Sequence, residues 1–325
     1  MSKPILVVTT HFVDDVEARI ARDFEVRRNP KGTVYTQEEL LSAAAGADAM
    51  LVNPFDKLDA TFFQRVPSSV KVIATFSVGY DQIDLDGAAK RNIAIAHTPG
   101  AVTEATADTA ILLMLGASRR AYEAQELVRS GEWKSPAATL LGWQMGGKIL
   151  GIFGMGRIGL AVAKRARAFG MKIHYCNSYR LPPEIEDDAV FHHDPYDLLR
   201  VSAFLSLHAP ETKETHHFLN AKAIACLPRG AIVVNTARGG MVVDEDLIAA
   251  LQSGQIAAAG LDTFEGEPSL NRDYLPLKNT FLLPHIGSAT IETRAAMGFL
   301  ALDNVDAVLQ GTPAPSLVTS DRTSH

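Results

Sequence analysis

The chain has 325 residues and 35.0 kDa, with 47% hydrophobic residues, 21% charged residues and a net charge of −6. This composition is typical of a globular protein, excludes wholesale disorder and, at this length, favours two domains. The acidic balance provides no basic patch for nucleic acid, and no apolar stretch approaches the ~18 residues that a bilayer crossing needs. The first apolar run, Ile5–Val8, is too short for a signal peptide, and two cysteines cannot form a disulfide framework. We therefore expect a cytoplasmic protein.

Short apolar runs alternate with helical patterns in the first part of the chain. The helix over residues 36–45 has a capping box at its start, formed by Thr36 and Glu39. Four runs without polar alternation predict buried strands of a parallel sheet, namely Ile5–Val8, Ala49–Val52, Val70–Thr75 and Ile93–Ala96. This alternation predicts an open α/β sheet.

A second α/β series begins after a break at residues 99–100. A long apolar helix is predicted from Val102 to about Arg119, and residues 129–147 show no clear period, which is typical of an arm or loop. The predicted strands are Ile149–Phe153, Lys172–Cys176, Ala203–Leu207, Ile232–Asn235, Ala257–Leu261 and Thr280–Leu283. The predicted helix N-caps are Asp194, Asn220 and Asp244. A last helix is predicted over residues 289–309.

A glycine-rich motif opens the second series. The segment KILGIFGMGRIG carries Gly154, Gly156 and Gly159 in G-x-G-x-x-G spacing. The first glycine permits a tight turn, the second lets the backbone approach a pyrophosphate, and the third allows close packing of helix on strand. A helix that begins near Arg157 would direct its N–H groups and positive dipole end at the phosphates. The motif alone is a weak signal, but here it follows a strand and opens a helix, which favours a dinucleotide site.

The residue expected to recognise the cofactor ribose lies at the end of the next strand. An Asp or Glu is typical of NAD sites there, whereas this chain has Asn177, followed by Ser178 and Arg180. Without the carboxylate there is no repulsion against a 2′-phosphate, and an arginine can bind that phosphate, which favours NADPH. NADH stays possible, because Arg180 can also be interpreted as a solvated surface residue.

Polar residues follow three further predicted strands at their carboxyl ends, where open α/β sheets bind ligands. They are Arg238 in VVNTARGG, Asp262 and Glu267 in LDTFEGEP, and His285 in LLPHIGSAT. Each of them alone has an ordinary structural explanation, such as a buried histidine or an arginine at a helix terminus. The informative feature is that all of these residues follow the glycine-rich motif along the chain, in this order.

With these segments the chain resembles the NAD(P)-dependent D-2-hydroxyacid dehydrogenase family, most closely its glyoxylate/hydroxypyruvate reductase branch. Further matching segments are SVGYDQID from Ser77, TPGAVTEATAD from Thr98, GEWKS from Gly131 and SLHAP from Ser206. The resemblance runs from about residue 72 to about residue 290 and is weak over the first 70 residues.

The resemblance implies two open parallel-sheet α/β domains, with a Rossmann cofactor domain inserted in a flavodoxin-like substrate domain. The expected substrate domain comprises residues 1–99 and 286–325, the expected cofactor domain residues 100–285, and the active site would lie in the cleft between them. The implied activity is reduction of a small 2-keto acid to the D-2-hydroxy acid by hydride from NADPH. Glyoxylate, hydroxypyruvate or a larger acid such as 2-ketogluconate would be the substrate.

The family's catalytic roles, carried over to matching positions, fall on Arg238, Glu267 and His285. Arg238 would hold the substrate carboxylate and carbonyl oxygen and polarise the C=O bond. His285 would protonate the carbonyl oxygen as hydride arrives, and Glu267 would fix the imidazole tautomer. Backbone N–H groups of Val78 and Gly79 would bind the other carboxylate oxygens.

The resemblance also implies which residues bind the cofactor. Asp262, Thr236 and Ala237 would line the nicotinamide end with Thr106 nearby. The adenosine side and the pyrophosphate would be flanked by His208, Ala209, Pro210 and Thr215. The full predicted set is Thr106, Gly154, Gly156, Arg157, Ile158, Gly159, Asn177, Ser178, Arg180, His208, Ala209, Pro210, Thr215, Thr236, Ala237, Arg238, Asp262, His285 and Gly287. No metal is expected, and the pairs His192–His193 and His216–His217 are interpreted as loop residues.

Two further expectations concern the pocket and the assembly. The segment Pro136–Thr139 is rich in small residues where some glyoxylate reductases carry an aromatic side chain that reaches the partner's active site, so a roomier pocket is expected. The helix from Val102 and the arm through Trp133 and Trp143 are apolar, and family members pair through this region. We therefore expect a homodimer built on the cofactor domain.

Three alternatives stay open at this point. Formate dehydrogenase shares the implied architecture, but it typically pairs its catalytic histidine with Gln, whereas this chain has Glu267. Phosphoglycerate dehydrogenase is a relative that often carries a C-terminal regulatory domain. Dinucleotide-sensing corepressors can keep the whole Arg/Glu/His set, so these residues do not exclude a binding protein without turnover.

Overall fold

The computed structural model of the chain describes residues 2–30, 32–134 and 140–318. The chain divides into two compact units, one of Met1–Val102 with Ser288–His325 and the other of Thr103–Gly287. The domain boundaries expected from the sequence fall after residues 99 and 285. The segment Pro136–Thr139, for which a roomier pocket is expected, lies outside the described residues.

Strands and helices alternate along both units. The described residues form the strands β1 (Ile5–Val8), β2 (Glu25–Arg28), β3 (Ala49–Val52), β4 (Val72–Thr75), β5 (Ala94–Ala96), β6 (Ile149–Phe153), β7 (Lys172–Cys176), β8 (Val190–Phe191), β9 (Phe204–Leu207), β10 (Ala231–Asn235), β11 (Ile256–Leu261) and β12 (Thr280–Leu282). They form the helices α1 (Asp14–Asp23), α2 (Gln37–Ala44), α3 (Ala60–Arg65), α4 (Leu85–Lys90), α5 (Thr103–Ser118), α6 (Ala121–Arg129), α7 (Arg157–Ala168), α8 (Pro183–Glu186), α9 (Pro195–Val201), α10 (Ala221–Cys226), α11 (Asp244–Ser253) and α12 (Ile291–Gln310). Among these helices, none combines the length and apolarity that a membrane crossing requires.

The first unit is a parallel sheet in the order β2-β1-β3-β4-β5, which is the flavodoxin-like order. The three central strands are buried on both faces, because apolar residues follow one another without polar alternation. The C-terminal helix α12 packs on β4 and against α1. A Cβ at Gly298 would lie 2.7 Å from the Val16 side chain, so this glycine permits the close approach of α12 to α1.

The second unit is a parallel sheet in the order β12-β11-β10-β9-β6-β7-β8. One face carries α5 and α7, and the other carries α10 and α11 on a separate apolar cluster. The strand order reverses between β9 and β6, and all carboxyl ends lie at one edge of the sheet. The predicted class of two open parallel sheets is confirmed.

The structure adds elements that the sequence does not predict, among them β2, β8 and α6. Strand β2 reads EVRR and is partly exposed at the sheet edge, so it lacks the apolar run that marks the inner strands. Strand β8 is a two-residue edge strand, and α6 lies between the predicted end of the long helix near Arg119 and the stretch 129–147 interpreted as an arm or loop.

The predicted helix starts are mostly confirmed. The capping box at Thr36 is present, and the Asp194 and Asn220 side chains accept N–H groups of the helices that follow them. The prediction for Asp244 is wrong, because Val243 is the N-cap and Asp244 is the first helical residue. Asp244 instead accepts a 2.7 Å hydrogen bond from the buried Tyr274 hydroxyl.

Candidate active site

The glycine-rich turn connects β6 to α7 and is shaped by close backbone approach. Gly154 has φ +96°, and a Cβ there would lie 2.3 Å from the Ala209 nitrogen. A Cβ at Gly159 would lie 2.5 Å from the Gly154 carbonyl oxygen. A Cβ at Gly156 would meet nothing within 4 Å. The turn therefore needs glycine at 154 and 159 for packing, and at 156 it leaves open space.

That open space lies at the N-terminus of α7. Gly156 is the N-cap residue, and the Leu160 N–H donates to the Gly156 carbonyl oxygen at 2.8 Å. The N–H groups of Arg157, Ile158 and Gly159 precede this bond, at the positive end of the helix dipole. Helix N–H groups and an open backbone approach suit a dinucleotide pyrophosphate, so the residues present fit this cofactor.

At the end of β7, the Asn177 side chain binds the glycine turn. Its Oδ1 accepts the Met155 N–H at 2.6 Å, and its Nδ2 donates to the Met155 carbonyl at 3.4 Å. Asn177 therefore holds the turn against β7. A neutral side chain at the position of the usual carboxylate supports the local backbone here.

Arg180 is an ion-paired residue. Its Nε donates to both carboxylate oxygens of Glu186, at 3.1 and 2.9 Å, while 66% of the arginine side chain stays exposed. Glu186 is almost fully buried and also accepts the Tyr175 hydroxyl at 3.1 Å. Asp188, which follows in sequence, pairs with Arg167 at 2.6 Å. Glu186 therefore fixes one edge of the Arg180 guanidinium, a contact that the sequence analysis missed.

His208 joins the ends of three neighbouring strands. Its Nε2 lies 2.8 Å from Ser206 Oγ and its Nδ1 lies 3.2 Å from Thr236 Oγ1. The backbone N–H groups of His208 and Ala209 both donate to the Phe153 carbonyl, at 2.8 and 3.0 Å. Burial lowers the pKa of the His208 imidazole to about 3, so it is neutral at physiological pH.

Thr215 closes the loop after β9. Its hydroxyl donates to the Pro210 carbonyl at 2.7 Å and accepts the Thr212 N–H at 2.8 Å. The predicted cofactor residues of this loop, Pro210 and Thr215, are thus bonded to each other.

Both histidine pairs of the sequence have specific partners. His192 lies 2.9 Å from His174 through ring nitrogens. His216 Nδ1 lies 2.8 Å from Glu211, and His217 Nε2 lies 2.9 Å from Glu265. His216, His217 and Glu265 bring three potential ligand atoms within 4.8 Å of one another, a grouping that the sequence analysis did not predict.

His285 and Glu267 form a short contact at the carboxyl edge of the second sheet. His285 has φ +53°, and its Nδ1 lies 2.6 Å from Glu267 Oε1. The second Glu267 oxygen accepts the Phe264 N–H at 3.2 Å, which fixes the carboxylate. Because an ionised carboxylate only accepts hydrogen bonds, Nδ1 carries a proton, and Nε2 is the ring atom that can act on a ligand.

Asp262 holds the loop that carries His285. Its side chain is only 1% exposed, and its two oxygens accept the N–H groups of Ile286 at 2.7 Å and Gly287 at 2.8 Å. Burial raises the pKa of this carboxyl, while the two N–H bonds oppose that shift. The hydroxyl of Thr106, on α5, donates to the Gly287 carbonyl oxygen at 3.3 Å. Asp262 and Thr106 therefore hold the residues that follow His285.

Arg238 follows β10 in a turn shaped by Asn235. The Asn235 amide donates to the Arg238 carbonyl at 2.9 Å and accepts the Ala237 N–H at 2.9 Å. A Cβ at Gly239 would lie 1.9 Å from the Phe264 carbonyl carbon, so this turn packs directly against the backbone that leads to Glu267. Arg238 and the His285–Glu267 pair thus occupy neighbouring loops of one sheet edge. Asn235 is a residue that the sequence analysis missed, since it reads as part of a buried strand.

Comparisons with known proteins place this geometry in a family. A family model described as "D-isomer specific 2-hydroxyacid dehydrogenase, NAD binding domain" matches residues 111–287. A glycerate dehydrogenase of Hyphomicrobium methylovorum is 41% identical, over 96% of this chain and 98% of that protein. A glyoxylate reductase of Thermococcus litoralis is 42% identical, over 98% of each chain. The crystal structure of an NADPH-dependent glyoxylate/hydroxypyruvate reductase from Sinorhizobium meliloti, in complex with NADP and malonate, aligns with a TM-score of 0.85 at 32% identity and covers 98% of this chain and 97% of that one.

The chain belongs to the D-isomer-specific 2-hydroxyacid dehydrogenase family. It is an NAD(P)-dependent 2-hydroxyacid dehydrogenase, and the resemblance stated from its motifs is confirmed. The relatives support interconversion of 2-keto and 2-hydroxy acids as its chemistry, and they do not favour the corepressor alternative.

The dehydrogenase carries the predicted substrate residues Val78 and Gly79 in its first unit, in the loop after β4. The Ser77 hydroxyl donates to the Gly79 carbonyl at 2.5 Å, and His97 Nδ1 lies 2.8 Å from the Val78 carbonyl. Both carbonyls are thus engaged within that unit. Substrate binding by the two N–H groups stays a prediction, as do the individual cofactor contacts, including those of Ser178.

Proposed function

We propose that this dehydrogenase reduces a small 2-keto acid to the D-2-hydroxy acid with hydride from NADPH, and that His285 donates the proton. Glyoxylate and hydroxypyruvate are the first candidates, with a larger acid such as 2-ketogluconate next. The observation that carries the proposal is the 2.6 Å contact between His285 and Glu267, on a loop held by the buried Asp262. The names of the relatives, glyoxylate reductase and glycerate dehydrogenase, support this choice of substrate.

The chemistry divides between the cofactor and the side chains. The bound nicotinamide supplies the hydride. Arg238, a planar and permanent cation, holds the substrate carboxylate and polarises the keto group, and the N–H groups of Val78 and Gly79 complete the grip. His285 Nε2 gives its proton to the keto oxygen as that oxygen gains charge. Glu267 keeps Nδ1 protonated, so the imidazole stays oriented before and after the transfer.

Turnover tests the proposal directly. Absorbance at 340 nm is followed with NADPH and each of glyoxylate, hydroxypyruvate and 2-ketogluconate. The proposal predicts steady loss of NADPH with at least one of them. If no 2-keto acid oxidises NADPH, the proposal is wrong and a dinucleotide-sensing protein is the better interpretation. Oxidation of formate by NAD⁺ in the same assay would favour the formate dehydrogenase alternative.

The preference for NADPH rests on the charge near the end of β7. Asn177 is neutral and bound to the glycine turn, so no carboxylate at that position repels a 2′-phosphate. Glu186 fixes Arg180 through Nε, and the two terminal nitrogens of the guanidinium lie beyond that contact. A charge-assisted contact is worth roughly 1.5–3 kcal/mol, so Arg180 alone can favour NADPH by about 10- to 100-fold.

Arg180→Ala tests the cofactor preference. We expect KM for NADPH to rise and KM for NADH to stay almost unchanged. Arg200→Ala is the matched control, because Arg200 is exposed on the same unit and pairs with Asp197, three residues away. An equal rise in KM for both coenzymes would exclude this assignment. So would a higher kcat/KM with NADH than with NADPH in the wild type.

We further propose a homodimer built on the second unit. Trp133, Leu141 and Val128 are 64%, 76% and 59% exposed there, and Leu112 and Tyr122 add to the same series of exposed apolar side chains. Sedimentation at micromolar concentration should give about 70 kDa, twice the 35.0 kDa of the chain. A 35.0 kDa species under these conditions would rule the dimer out.

We place the enzyme in a reducing compartment, the cytoplasm, because Cys176 and Cys226 are free thiols.

A further inference from the structure

The first unit contains a cavity that the proposed chemistry does not use. It has a volume of about 360 Å³ and is lined by Thr10, His11, Phe12, Val13, Phe76 and Arg294. Thr10 follows β1 and Phe76 directly follows β4, so the cavity opens at the carboxyl edge of the five-stranded sheet. The strand order reverses between β1 and β3, and open α/β sheets bind ligands at such a reversal.

Arg294 gives this cavity a positive charge. It lies in the first turns of α12, and its guanidinium lies 5.3 Å from the centroid of the Phe76 ring, which packs edge-on against Phe12. Burial lowers the pKa of Arg294, and no carboxylate within the described ranges pairs with it. Glu17, which accepts the Phe12 N–H at 3.0 Å, pairs with Arg28.

A half-buried arginine without a counter-ion is unusual in a folded protein. Arginine is rarely buried unless it is paired, and a cation–π contact offsets only a small part of the cost of removing the charge from water. A bound anion would compensate the charge. The aromatic walls formed by Phe12 and Phe76 suit a ligand whose acidic group is carried on a short apolar chain.

We propose that this cavity binds a carboxylate, and that it receives the far carboxylate of a 2-keto dicarboxylic acid substrate. This assignment rests on the proposed function. Phe76 is two residues before Val78, so their Cα atoms lie at most about 7.6 Å apart. The predicted site for the substrate's reacting end and the Arg294 cavity therefore share one sheet edge. The assignment requires a diacid of four or five carbons that contacts both.

A matched pair of substrates tests the proposal. 2-Oxoglutarate and 2-oxopentanoate have the same five-carbon chain. The far end of that chain is a carboxylate in 2-oxoglutarate and a methyl group in 2-oxopentanoate. The wild type should favour 2-oxoglutarate in kcat/KM, and Arg294→Met should lower that preference by about 10- to 100-fold while changing kcat/KM for glyoxylate less than twofold. Arg294→Lys keeps the cation and should retain part of the preference. Arg22 is an exposed arginine of α1, so Arg22→Met is the control. It should leave kcat/KM unchanged for both substrates.

Three kinetic results would overturn the substrate assignment. The first is a wild type that favours 2-oxopentanoate, and the second is a preference that Arg294→Met leaves unchanged. Equal losses for glyoxylate and 2-oxoglutarate in Arg294→Met would also contradict it, because that pattern indicates a general structural effect.

Binding of succinate, a diacid that cannot be reduced, separates this inference from the proposed function. By calorimetry on the full chain, Arg294→Met should weaken succinate binding at least tenfold, and Arg22→Met should leave it unchanged. If Arg294→Met binds succinate as tightly as the wild type, the cavity is not a carboxylate site. If succinate binding depends on Arg294 but no 2-keto acid is turned over, the subsite stands and the proposed function fails. If succinate binding depends on Arg294 while the preference for 2-oxoglutarate does not, the carboxylate belongs to a separate effector and the substrate assignment is wrong.

Discussion

Replacing Asp262 by Asn should separate the positioning of His285 from its chemistry. In the wild type both carboxylate oxygens accept backbone N–H groups of the residues that follow His285, at 2.7 and 2.8 Å, and the side chain is 1% exposed. Asparagine keeps one acceptor oxygen and turns an NH₂ group toward the other N–H. One buried N–H is then left unpaired, which costs about 1–3 kcal/mol. We expect the free energy of unfolding to fall by about 2 kcal/mol.

The catalytic effect of Asp262→Asn follows from geometry. A displacement of about 1 Å of a catalytic group can cost about 10²-fold, so kcat for 2-keto acid reduction should fall by about 10- to 100-fold. KM for the coenzyme should change less, because the contacts that shape the glycine turn, at Ala209 and Asn177, do not involve Asp262. Asp188→Asn is a control, since Asp188 forms an exposed ion pair with Arg167 on the same unit.

Two measurements check the reasoning on Asp262. Urea unfolding gives the stability change, and amide hydrogen exchange reports whether the Ile286 and Gly287 N–H groups lose protection. If kcat falls while both N–H groups stay as protected as in the wild type, Asp262 acts on the reaction in another way. If the variant keeps wild-type kcat and stability, Asp262 does not hold the His285 loop.

Two further predictions concern Arg238 and His208. Arg238→Lys should lower kcat/KM by about 100-fold, because an ammonium group cannot reproduce the planar two-point grip, and wild-type kcat/KM in that variant would argue against the grip. His208 has a folded-state pKa of about 3 against about 6.5 unfolded, so its contribution to stability is present above pH 6.5 and is lost as the pH falls towards 3. Between pH 7 and pH 5 this should remove about 2 kcal/mol from the free energy of unfolding of the wild type, and His208→Gln should lack that loss. Equal losses in the two proteins, measured by urea unfolding at both pH values, would contradict the prediction.

Local patterns predicted most of the fold. Inner strands such as β3 are continuous apolar runs, and the glycine turn after β6 has steric demands that act within a few residues. The edge strand β2 was missed because EVRR is polar, and its place depends on pairing with β1, some twenty residues earlier. Strand pairing of that kind is not encoded in the hydrophobic pattern of the segment itself.

The candidate site was predicted less completely, since its contacts join distant residues. His285 and Glu267 are 18 residues apart, and only the resemblance to a family brought them together. The part that Asp262 takes in fixing the 286–287 backbone has no sequence signal of its own. Glu186 was missed as the partner of Arg180 because its burial depends on the packing around Tyr175.

Single-turnover reduction of glyoxylate by enzyme preloaded with NADPH isolates the step in which His285 is proposed to donate the proton. The rate of NADPH oxidation at 340 nm is compared for the wild type and His285→Ala, with the Kd for NADPH measured separately by fluorescence. We expect a rate about 10²–10⁴-fold lower in His285→Ala and a Kd for NADPH close to that of the wild type. A rate within threefold of the wild type would show that another group donates the proton.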